Sequence, residues 1–220
     1  MGASLPQGSP WPATPGVPRL IAEMDGSMVP RVDTAPPGPG VDRRKTRQLS
    51  WTEARLCLVR GPGSATPRFG ATMGSVEAAG DQLWECAVAA GVGPQTRLHA
   101  VGDGAPWIAD QVDRRFGAQA TYLIDFWHLC DYLAAAAAVV AAPAPATWMA
   151  EKKTWLTANR WAEVLDTLRP WQEPADVADA AAPVRACVRY MANRTGSLDY
   201  GGALAAELPI GSGEIESAHR

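Results

Sequence analysis

The stretch Leu98-His99-Ala100-Val101-Gly102-Asp103-Gly104-Ala105-Pro106-Trp107-Ile108 constrains the fold more than any other. A short apolar run reaches an acid, two small residues follow, and a segment with helical apolar spacing begins. This grammar predicts a strand with Asp103 at its carboxyl tip, then a helix over about 105–116. It recurs at Ala120-Thr121-Tyr122-Leu123-Ile124-Asp125, with a helix expected from Phe126 through the alanine tract 134–138, ending before Pro143. Two successive strand–helix units predict parallel crossovers, and open α/β sheets bind ligands at their carboxyl edge.

Upstream, Arg19-Leu20-Ile21-Ala22-Glu23-Met24-Asp25 is an apolar-biased run ending in another acid; Gly26-Ser27 follows, then Met28-Val29-Pro30-Arg31-Val32. The pattern reads as a hairpin turning at Gly26-Ser27. Residues 33–40 read as a loop, 52–59 as a third strand, 60–72 as a Gly/Pro loop, and 73–91 as a helix with Val76, Leu83, Trp84 and Val88 on one face. Residues 1–18 read as a poorly ordered Pro/Gly-rich lead-in. Over 147–206, Trp148, Trp155, Leu156, Trp161, Val164, Leu165, Leu168 and Trp171 recur at helical intervals broken by prolines, which predicts an all-helical segment with a packed core.

The resulting order is three strands, helix, strand, helix, strand, helix, a helical region and one more helix start. That is an α/β fold with a mixed sheet. The expected divisions are a lead-in at 1–18, a catalytic core over 19–142, a helical insertion at 143–206 and the start of a final helix at 207–220.

With 220 residues and 47% apolar content, the chain can bury a sizeable core. No long apolar stretch or signal-peptide layout occurs, so the expectation is a cytoplasmic protein without membrane contact. Cys57, Cys86, Cys130 and Cys187 form no CxxC pair and are expected as free, buried thiols. A net charge of −3 exerts no general pull on nucleic acid, so such a partner requires a local basic patch or a metal-neutralised acidic site. The cluster Arg43, Arg44, Lys45 and Arg47 is such a patch, touching a phosphate backbone or forming a solvated hairpin edge.

Carboxylates at separate strand and helix ends, without His or Cys companions, form an oxygen-only ligand set. Such a set suits Mg²⁺ or Mn²⁺, and two such ions can drive an in-line phosphoryl displacement. No Gly-rich phosphate cradle or catalytic Lys motif marks a phosphotransferase.

Three of these elements resemble those of a known family. Glu23-Met24-Asp25-Gly26-Ser27 is similar to the first-acid motif of bacterial DDE transposases, Gly102-Asp103-Gly104-Ala105-Pro106-Trp107-Ile108 to the second, and Gly211-Ser212-Gly213-Glu214-Ile215-Glu216-Ser217 to the final-glutamate motif. The match is to the group associated with ISKra4-like insertion sequences. Asp125-Phe126-Trp127-His128 resembles the D-x-x-H element between the second and third acids. The resemblance runs over 19–220. It implies a ribonuclease-H-like core with an all-helical insertion, and Asp25, Asp103 and Glu216 as a metal-binding triad for Mg²⁺ or Mn²⁺. It further implies DNA cleavage and strand transfer, DNA as partner, and a homo-oligomer when full length. Relatives carry an end-recognition region and continue past the glutamate. The chain is therefore expected to be a truncated copy with impaired activity, showing little strand transfer in isolation.

Helix geometry separates the two C-terminal glutamates. Residues i and i+2 point about 200° apart, so Glu214 and Glu216 cannot both face the aspartates. With Ser212 as N-cap, Glu214 falls in the first turn with a structural role, leaving Glu216 for metal. Asp125 and His128 are one turn apart, and read either as a DNA contact or as a local hydrogen bond holding the junction. His99 reads as a core histidine and Trp107 as helix-to-sheet packing; nothing assigns His219. The rival functions are a ribonuclease-H-like nuclease and a non-catalytic DNA-binding protein that keeps the fold.

Overall fold

The computed structural model describes residues 11–36, 38–39 and 42–218. Its sheet has strands β1 (Arg19–Thr34), β2 (Arg47–Arg60), β3 (Arg68–Thr72), β4 (Arg97–Gly102) and β5 (Ala120–Ile124). They lie in the order β3-β2-β1-β4-β5. β1/β2 and β2/β3 are antiparallel, while β1/β4 and β4/β5 are parallel. The two parallel connections each pass through a helix, α1 (Val76–Ala89) before β4 by way of β2 and β3, and α2 (Pro106–Phe116) between β4 and β5. The α/β expectation holds, with a mixed sheet.

Alternation along β1 explains its central place. Leu20, Ala22 and Met24 face one side, and Ile21 and Glu23 the other, all nearly inaccessible to solvent. On the first side they meet Leu83 and Trp84 of α1 and Ile108, Val112 and Phe116 of α2. The second core contains Leu123 of β5 and spans α3 (Phe126–Val140), α5 (Trp161–Leu168) and α6 (Pro183–Ala192). α4 (Pro145–Thr157) and α7 (Tyr200–Ala205) close that side, and α8 (Gly213–Ala218) returns to β1 and β2. All four cysteines are free and buried. No helix among the described residues is long and apolar enough to cross a membrane.

Four expectations are corrected. Gly26-Ser27 is no turn: β1 continues to Thr34, and its pairing with β2 runs unbroken from Ile21 opposite Arg60 to Thr34 opposite Arg47. Fourteen consecutive cross-strand pairs outweigh a dipeptide's turn preference. Part of the 60–72 loop is β3, which adds to β2 at Arg55–Val59. Within 1–18, residues 1–10 lie outside the described residues, but 11–18 are anchored. Trp11 packs edge-on to Trp84 with centroids 4.8 Å apart, and Thr96 Oγ1 donates to the Val17 carbonyl at 2.6 Å. Val88 is also exposed, the buried face of α1 using Ala87 and Cys86 instead.

Candidate active site at the strand ends

In the parallel β1/β4 pair, Met24 lies opposite Gly102. Asp25 and Asp103 each come one residue after that last parallel pair, Asp103 just past the end of β4 and Asp25 within β1, which runs on beside β2 to Thr34. Each carboxylate accepts from a backbone amide close behind it in the chain. Gly26 N–H donates to Asp25 Oδ1 and Ala105 N–H donates to Asp103 Oδ1, both at 2.8 Å. Gly104 has φ of +86°, and an added Cβ would meet the Tyr190 hydroxyl at 2.7 Å, so only glycine fits behind the acid.

The third carboxylate arrives on α8, which three long-range ties hold. Ile215 N–H donates to Glu23 Oε2 at 2.9 Å, supplying the cap that a helix start needs. Arg60 donates to both Glu214 oxygens, at 2.9 and 2.5 Å. Ser212, just ahead of the helix, donates from N–H and Oγ to Asp125 Oδ2 at 2.5 and 2.6 Å. Ser212 does hold the N-cap position, since its carbonyl accepts from Glu216 N–H, but its hydroxyl is spent on Asp125. Glu214 has the structural role expected of it. Glu216 is exposed on the same helix. His219 lies outside the described residues.

Asp25 shares a sheet face with Glu23, two residues back, and so with α8. Among the described residues, however, no three His, Cys, Asp or Glu side chains are gathered into a group that could hold a metal ion. The strand-end pair has the donor chemistry that Mg²⁺ or Mn²⁺ takes, carboxylate oxygen alone. Glu216 is not drawn in beside it.

Asp125 differs in kind from the other acids. Its Oδ1 accepts from Trp127 and His128 N–H, at 2.6 and 2.9 Å, and its Oδ2 holds Ser212. With four accepted bonds and 1% exposure it is a tie between α3 and α8, in keeping with the junction-holding alternative of the two readings. His128 meets Asp125 through its backbone; its ring sits edge-on to Tyr132 and tilted against Tyr190, centroids 5.6 and 5.8 Å away. His99 is buried, as expected, and donates from Nε2 to the Pro209 carbonyl at 2.8 Å. Burial lowers its pKa.

Arg43, Arg44, Lys45 and Arg47 stand at the far end of the β1/β2 ribbon, all exposed; Asp42 caps the turn and pairs with Arg44 at 2.8 Å. Thr34, where the ribbon ends, is nine residues beyond Asp25, or about 30 Å along the strand. The basic patch and the acids thus occupy separate places. A cavity of about 670 Å³ opens at the opposite strand ends, between Arg19, Arg97, Thr121 and Asp199, and takes no part in the acid site.

No family model, curated protein or solved structure matches this chain.

Sequence reasoning missed Glu23, whose pKa rises to about 7, first through burial, against the lowering effect of the Ile215 N–H. It also missed Tyr122, Tyr190 and Arg194, which contact the backbone around Asp103. The only signal for Glu23 was an acid inside an apolar run; for the other three there was none.

Proposed function

We propose that this chain is a ribonuclease-H-like core of the DDE transposase type, acting on DNA phosphodiester bonds with Mg²⁺ or Mn²⁺. One observation carries the reading: two aspartates on separate motifs, Asp25 within β1 and Asp103 just past the end of β4, each follow the last pair, Met24 opposite Gly102, of two adjacent parallel strands. Three antiparallel strands followed by two parallel ones, in the order 3-2-1-4-5, support it, as does a glutamate-bearing helix docked across β1.

A bound divalent ion would supply charge neutralisation and an activated oxygen nucleophile for in-line displacement. In this reading Asp25 and Asp103 bind it, and Glu216 joins them when α8 shifts its exposed carboxylate toward the strand ends. The Gly26 and Ala105 amides hold the two aspartates in orientation, and Asp125 with Glu23 seats the helix. The exposed basic tip supplies phosphate contacts that position the duplex. The protein would act in the cytoplasm as a homo-oligomer on element ends.

The test is Mn²⁺ binding followed by electron paramagnetic resonance, alongside nicking of plasmid DNA. Asp25→Asn and Asp103→Asn should each abolish saturable Mn²⁺ binding and reduce nicking at least 100-fold, while melting stays near wild type. Metal-independent DNA binding that both variants retain, with no Mn²⁺ uptake by the wild type, would instead establish a non-catalytic DNA-binding protein.

A further inference from the structure

The backbone that carries Asp103 is not held by its own strand and helix alone. Three of its polar groups are taken by side chains from elsewhere. The Tyr190 hydroxyl donates to the Asp103 carbonyl at 2.6 Å, Arg194 Nε donates to the Gly104 carbonyl at 2.7 Å, and Gly104 N–H donates to the Tyr122 hydroxyl at 3.0 Å. Tyr190 lies on α6 and Arg194 just past its end, so the helical segment reaches across to grip the turn. We propose that Tyr190 and Arg194 are positioning residues that set the direction of the Asp103 carboxylate, making the helical segment a working part of the acid site.

The grip is itself braced. The Tyr190 ring stacks on Tyr132 of α3, centroids 4.2 Å apart and planes 15° off parallel, with His128 against both. The Arg194 guanidinium lies 4.4 Å over the Tyr190 ring, and its Nη1 donates to the Tyr190 carbonyl at 3.1 Å. Burial pushes the Tyr190 pKa up, which keeps the hydroxyl protonated as a donor. The positive φ of Gly104 matters here too, because a side chain at that position would displace both donors. A rigid ring pair thus ends in two donors aimed at consecutive carbonyls, and the turn between them presents Asp103.

The inference rests on the metal-site reading above. Its test uses the full chain with Mn²⁺ as probe. Tyr190→Phe removes one hydroxyl and leaves the ring stack, so Mn²⁺ affinity should fall about tenfold or more, the usual effect of losing an outer-sphere partner. Melting temperature and amide exchange along α6 should stay unchanged. Arg194→Lys keeps the charge but cannot reproduce the planar Nε donor, and should weaken Mn²⁺ comparably. Tyr132→Phe, which keeps the stack, should bind Mn²⁺ as the wild type does. Faster exchange should be confined to the Gly104 and Ala105 amides in the first two variants. Wild-type affinity in Tyr190→Phe and Arg194→Lys would overturn the inference alone. Absence of Mn²⁺ binding by the wild type would instead overturn the metal-site reading and the inference with it.

Discussion

Glu23 is a carboxyl group taken out of water to cap a helix that begins 192 residues later. Burial disfavours its ionised form, Glu214 and Asp125 add to that, and Arg60 and the Ile215 amide oppose it; the balance lifts its pKa from 4.5 to about 7. A carboxyl group that holds its proton more tightly when folded contributes stability in full below pH 4.5 and loses it as pH rises through 7. At 1.36 kcal/mol per unit that window is worth roughly 3 kcal/mol. Glu23→Gln keeps an oxygen for the Ile215 amide and cannot ionise. Urea denaturation should therefore show the variant more stable than wild type at pH 8 and nearly equal at pH 4.5. Buried His99 loses stability below pH 6.5 in both proteins and cancels in the difference. A wild-type slope persisting in the variant would contradict the assignment. Asp25 and Asp103 were legible as single residues because an acid followed by glycine closes an apolar run. Glu23 was not, since it sits inside such a run and the partner that accounts for it is remote in sequence.

At the scale of elements, order and type were legible over most of the chain, and the misreadings cluster in the antiparallel half. Gly26-Ser27 read as a turn because local chemistry offers glycine and serine there. Register decides instead: the unbroken pairing with β2 carries β1 past the point where β4 stops, at Met24. Beyond it the two strands form a ribbon whose tip is the basic turn. β3 was missed because five residues containing a glycine carry too little alternation, and only the open edge of β2 makes them a strand. The ribbon gives the basic cluster a testable role. Arg43 and Lys45 make no contact with the core, so Arg43→Glu with Lys45→Glu should change folding stability by no more than about 0.5 kcal/mol. If the tip touches DNA, the slope of log affinity against log salt should fall by about 0.9 for each contact removed, read by fluorescence anisotropy on a duplex. An unchanged slope would make the tip a solvated hairpin edge.

Across the whole molecule, the helical side is tied to the sheet by the chain's last stretch. Residues 208–212 cross back from the helical side: His99 bonds Pro209, Phe126 N–H donates to the Ile210 carbonyl at 2.8 Å, and Asp125 holds Ser212. None of these contacts could be read in the sequence, because each joins residues far apart, such as the 87 positions between Asp125 and Ser212. Asp125 is the point where they concentrate, since one buried carboxylate serves the start of α3 with one oxygen and the approach to α8 with the other. Asp125→Asn replaces one acceptor by an NH₂ group that must face either the Trp127 and His128 amides or the Ser212 donors. Two donors on one side lose their partner, at a cost of roughly 3 kcal/mol. α3 is stabilised by its own packing in the second core, while α8 has one buried side chain, Ile215. The loss should therefore fall on the weaker partner. Hydrogen exchange in Asp125→Asn should accelerate at the amides of 212–216 well before those of β1 and β4. Protection at 212–216 equal to wild type would show that Glu23 and Arg60 alone dock the helix.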